Sequence, residues 1–140
     1  MIDTSLIEHL RRRFALDWHG VHGISHWRRV QENGLRLASS TGARADVVEV
    51  PLHGPRAARL AEDLHGTAFE LDPEGLDILM IACRDHSEGL MEGDPTVLTC
   101  WDADRLDLGR VGIRPRAELL CTPNARDPDV MGWAYRRSVG

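Results

Sequence analysis

Apolar positions recur at helical spacing along most of the chain. Leu6, Leu10 and Phe14 share one face of a predicted first helix, which Asp3 or Thr4 can cap. Arg11, Arg12 and Arg13 close it, where the helix dipole favours cations. A glycine-punctuated loop over 17–23 leads to a second helix predicted at 25–40, interrupted by Gly34 and stopped by Thr41-Gly42. Residues 45–50 begin like a buried helix and halt at Pro51. Gly54-Pro55 opens another helix that ends at Gly66. Asp72-Pro73 starts one over 74–87, with Leu76, Leu79, Met80 and Cys83 inward, and Asp94-Pro95 starts one over 96–110. From Pro123 the chain reads as a tail whose Trp133 and Tyr135 suit either a homodimer contact or a folded-back end. No strand-like alternation persists beyond a few residues. The pattern predicts an all-α bundle of five to six helices, one domain over residues 1–140.

Composition narrows the function classes. The chain has 140 residues, 42% of them hydrophobic and 28% charged, enough to bury a core. Its formal net charge of -5 argues against nucleic acid as the main partner. All 17 basic residues are arginine, which excludes lysine Schiff-base chemistry and the P-loop lysine. No apolar run approaches the roughly 18–20 residues of a membrane span. The three cysteines, Cys83, Cys100 and Cys121, lack CxxC spacing and read as reduced thiols of a cytoplasmic protein.

The seven histidines carry the candidate chemistry. His19, His22 and His26 crowd the start of the second helix, His53 precedes a helix, and His86 ends one. Asp102, Asp104 and Asp107 share a helix, with Asp104 and Asp107 near one face and Asp102 turned away. Histidines and carboxylates from different helices build metal sites in bundles. Such ligands suit Mn, Fe, Ni, Co or Zn, and spacing does not choose among them. Arg29, Arg56, Arg84 and Arg105 could clamp a phosphate. Plainer readings stand beside these. His26 suits a buried histidine satisfied by a backbone carbonyl, His53 and His86 suit loop and cap positions, and the three aspartates suit a solvated face paired with Arg105 and Arg110. Cys83 and His86 could share a metal, or Cys83 could be a core thiol.

The segment 22–30 (HGISHWRRV), with Asn33-Gly34 after it, resembles the opening motif of the HD-domain metal-dependent phosphohydrolases. The segments 53–58 (HGPRAA), 82–86 (ACRDH) and 101–107 (WDADRLD) follow in that family's order, so the resemblance covers about residues 20–115. It implies an all-helical fold and a divalent metal, Mn, Fe, Ni, Co, Zn or Mg. It assigns His26 and Asp104 as metal ligands, and His53, His86 and Arg105 as catalytic or substrate-facing groups. The implied substrate is a small phosphorylated molecule such as a nucleotide. The His-Asp dipeptide that names the family occurs nowhere in the chain. The interval between Val50 and Pro51, where it belongs, is short by about one average helix of 11–12 residues plus a connection. The resemblance therefore implies an enzyme if such a segment belongs to the full protein, and otherwise a degenerate module binding a nucleotide or protein partner.

Overall fold

A computed structural model describes Glu8 and residues 24–50, 61–66, 69–85 and 90–140. The fold is all-α. The predicted first helix apart from Glu8, the start of the helix after Gly54, and the end of the helix expected to reach Ser87 lie outside the described residues. Among the described residues the long elements are α1 (Ile24–Thr41), the single turn α2 (Ala45–Val48), α3 (Pro73–Asp85), α4 (Pro95–Arg105) and α5 (Pro128–Val139). No helix among the described residues is long and apolar enough to cross a membrane.

The central element is α1. Ile24, Trp27, Val30, Gly34 and Leu37 are buried at three- and four-residue spacing, and His26 and Asn33 widen the buried stripe. A helix buried over so wide an arc must be packed on more than one side, and α1 packs against α2, α4 and α5. Gly34 does not interrupt it: a Cβ there would overlap Val48 Cγ1 and lie 3.5 Å from Ala103 Cβ. Its role is a close helix crossing. Gly42, at φ +76°, ends the helix in the left-handed conformation that glycine adopts without strain.

Antiparallel to α1 runs α4. The hydroxyls of Thr41 and Thr99 meet at 2.9 Å at one end, and His26 faces Asp107 at the other. Asp94 caps α4 by accepting from the Thr96 N–H, and Pro95 needs no N–H in that first turn. The helix stops at Arg105, earlier than the predicted 110, and a 3-10 turn follows over Leu108–Val111. Between them Asp107 (φ -97°, ψ 14°) leaves helical geometry, and its carboxylate points back at α1. The segment expected to be a tail is the helix α5. Asp127 caps it, Pro128 starts it, and Val130 and Ala134 join Leu37, Leu106, Leu120 and Ala125 in a second core cluster. Trp133 lies under the guanidiniums of Arg36 and Arg137, and Tyr135 under that of Arg114.

The turn α2 begins a helix and goes no further. Val47, Val48 and Val50 are buried, and Gln31 Nε2 donates to the Glu49 carbonyl just past its end. Arg44 precedes α2 and bonds Asp46 and Asp72, the second of which accepts from the Gly75 N–H in the first turn of α3. These bonds hold both carboxyls below the usual carboxylate range, Arg44 being the largest cause for each. A depressed folded-state pKa adds stability above the unfolded value of about 3.9, and that stability is lost as pH falls through the folded value. Urea midpoints of wild type and Arg44→Ala should therefore differ most above about pH 4 and converge in stronger acid. A constant gap down to pH 2 would refute the link. Because the ion pairs are exposed, added salt should shrink the gap at neutral pH.

Candidate functional site

The N-terminal end of α1 meets the C-terminal end of α4, and the four side chains that meet there come in i, i+3 pairs. His26 and Arg29 lie on α1, and Asp104 and Asp107 face them. This spacing puts each pair on one face of its helix. His26 is 3% exposed and Asp107 is fully buried. Asp107 Oδ2 lies 2.6 Å from His26 Nδ1. Arg29 Nε and Nη2 donate to the two oxygens of the same carboxylate at 2.7 and 3.1 Å. On the other edge of the ring, His26 Nε2 lies 3.2 Å from Asp104 Oδ1. Asp104, with a side chain 14% exposed, is the more open of the two aspartates. Burial of Asp107 is tolerable because an ionised carboxylate here has a histidine and a bidentate arginine as partners.

His26 and Asp104, singled out in the sequence as ligands, are thus brought together. The ring of His26 is engaged by carboxylates, which replaces the backbone-carbonyl reading of a buried histidine. Asp102 and Asp107 are fully buried, so the solvated-face reading of the three aspartates is corrected. Asp102 is turned away from Asp104, as expected from its position on the helix, and faces the chain after α4. It accepts from the Cys121 N–H, the Thr122 N–H and the Thr122 hydroxyl. Arg105 directs its guanidinium to the carbonyls of Leu90 and Leu119 and to Cys121 Sγ. Arg29, read as a phosphate clamp, is committed to Asp107 on two of its three nitrogens. Arg84 is ion-paired with Asp85 at 3.5 Å. His53, His86 and Arg56 lie outside the described residues. Cys83 packs in the main core, and burial pushes its thiol well up. Burial also pushes Cys100 up to about 12, so neither thiol is poised to act as a thiolate near neutrality.

The pair His26 Nε2 and Asp104 Oδ1 fits one divalent ion. Nitrogen and oxygen ligands each about 2.0–2.2 Å from a metal, at near-right angles, lie about 3 Å apart. A histidine whose other nitrogen meets a carboxylate is also the usual form of a metal-bound imidazole. Two donors do not complete a site, and among the described residues no group of three His, Cys, Asp or Glu side chains could hold a metal. Compared with protein-family models, curated proteins and solved structures, the chain matches none.

Proposed function

We propose that this domain is a metal-dependent phosphohydrolase of the HD kind, acting on a phosphomonoester or phosphodiester of a nucleotide or related small molecule. The observation that carries the reading is the contact of the buried His26 imidazole with Asp104, the two residues the resemblance assigns as metal ligands, with Asp107 on the other edge of the ring. A divalent metal bound there would supply charge neutralisation and a water acidic enough to yield a nucleophile near neutral pH. His26 and Asp104 would hold it, and the first turn of α1 and last turn of α4 would fix their separation. His53 and His86, by the resemblance, would face the phosphate or a second metal. Arg105 would act on substrate only with its Nε edge or after giving up its backbone carbonyls.

A second reading, a degenerate module that binds a nucleotide or a protein, is favoured by the missing His-Asp dipeptide and by the count of two donors among the described residues. One set of measurements separates them. The hydrolase reading expects near-stoichiometric Mn²⁺ or Co²⁺ on the purified protein and metal-dependent hydrolysis of p-nitrophenyl phosphate or its bis-ester. Asp104→Ala should lower that hydrolysis at least about 100-fold, the scale of a lost metal-site group. Metal-dependent activity retained in Asp104→Ala refutes the site. Absence of bound metal refutes the hydrolase and leaves the module.

A further inference from the structure

Charge is divided unevenly along the chain and across the fold. Between residues 61 and 94 ten side chains are Asp or Glu and one is arginine, whereas between 105 and 140 seven are arginine and four Asp or Glu. The two segments supply α3 and α5, on different sides of the α1–α4 pair. Helix α3 packs on α4 and α2, α5 packs on α1 and the 3-10 turn, and the two belong to different core clusters. On α5, Trp133 and Arg136 stand i, i+3 and share a face. The guanidiniums of Arg36 and Arg137 lie 4.4 and 4.5 Å from the centre of the Trp133 ring. Arg137 is neutralised by Glu32 at 2.7 Å. Arg36 and Arg136 are exposed, and among the described residues neither pairs with a carboxylate. On α3, Glu74 and Asp77 stand i, i+3 on the exposed face, Glu70 is exposed just ahead of the helix, and Ile81 follows, 39% exposed. None of these three carboxylates pairs with a cation among the described residues.

We infer that a second copy of this chain docks its α3 face on the Arg36–Trp133–Arg136 face of α5, in a weak head-to-tail contact. Each face gathers like charge that its own surroundings leave unneutralised, and the two faces are opposite in sign, so the chain carries its own complement. Arginine and tryptophan are also the residue types enriched where proteins bind one another, and Ile81 gives the acidic face an apolar component. The contact uses different surfaces on its two partners, so each pair keeps one free face of either kind and can grow further. Screening sets its strength, since charges act over about 30 Å at 0.01 M ionic strength and about 3 Å at 1 M. It rests on neither reading of the His26–Asp104 site.

Sedimentation velocity of the full chain tests it, at about pH 6. There, near the sequence pI of about 5.8, repulsion between whole chains is smallest while the carboxylates stay ionised. At about 0.01 M NaCl the average mass should rise above the 15.7 kDa of one chain as protein is raised toward about 1 mM, and at about 1 M NaCl it should return to one chain. Arg36→Gln with Arg136→Gln removes one face, and Glu74→Gln with Asp77→Asn removes the other. Each double variant should stay monomeric at low salt. Their equimolar mixture should form a pair of twice the monomer mass and nothing larger, because each supplies the face the other lacks. Wild type that is monomeric throughout at low salt, or that associates equally at 1 M salt, overturns the inference even if a variant fails to fold. So does a double variant that associates like wild type. A mixture that stays monomeric while wild type associates overturns it as well, because a contact between two identical faces is not restored by mixing.

Discussion

Asp102→Ala is expected to destabilise the protein by about 3–5 kcal/mol, a large part of the roughly 5–15 kcal/mol typical of a domain. The carboxylate is fully buried and accepts from the Cys121 N–H at 2.7 Å, the Thr122 N–H at 2.8 Å and the Thr122 hydroxyl at 2.7 Å. Hydrogen bonds to a charged group contribute about 1.5–3 kcal/mol each, and buried donors left without an acceptor cost about 1–3 kcal/mol each. These contributions share one group and do not simply add. Asp102→Asn should give little rescue. One of its two side-chain ends is an NH₂, which would face a backbone N–H where an acceptor is needed. Thr122→Val, which removes only the hydroxyl, should cost much less. Urea unfolding curves of the three variants check the order, and an Asp102→Ala loss below about 1 kcal/mol would refute the anchoring role.

Gly34→Ala is expected to lower stability even though alanine is the better helix former by about 1 kcal/mol. The new methyl would overlap Val48 Cγ1, and valine has little rotamer freedom with which to yield. Val48 is only 5% exposed, so it cannot swing outward without moving α2. Overpacking of this kind costs about 1–3 kcal/mol, more than the propensity gain. Val48→Ala should also destabilise, by emptying a buried position. The double variant should be more stable than the sum of the two losses allows, because the added methyl fills space the valine vacates. Simple additivity in thermal or urea unfolding would show that the crossing at Gly34 is not the tight point.

Most of the helical frame is legible in the residues. The predicted start and stop of α1 and the start of α3 lie within two residues of those observed, since Gly42 and Asp72-Pro73 mark them locally. The end of α4 was not legible. The chain leaves the helix at Asp107, whose partners His26 and Arg29 stand 81 and 78 residues away. The helix α5 carries the same local signal, Asp127-Pro128, as the two Asp-Pro starts read correctly, followed by Val130, Ala134 and Ser138 on one side. Its glycine and the aromatic pair obscured that signal. At the site, Asp104 and Asp107 could be placed on one face from spacing, but the pairing of that face with His26 and Arg29 depends on how α1 crosses α4. The anchoring role of Asp102 left no trace at all, because its partners include the backbone N–H groups of residues 121 and 122.

The His26–Asp107 contact joins residues 81 positions apart, and the Arg137–Asn33 contact, two turns further along α1, joins residues 104 apart. Closing such long chain segments costs entropy that only the assembled core repays. During synthesis His26 and Arg29 leave the ribosome well before Asp104 and Asp107, so these contacts form only once the residues after α4 have been made. Assembly of the site needs α1 packed on α4, so any ligand that requires it will distinguish molecules in which that pair has closed from those in which it has not.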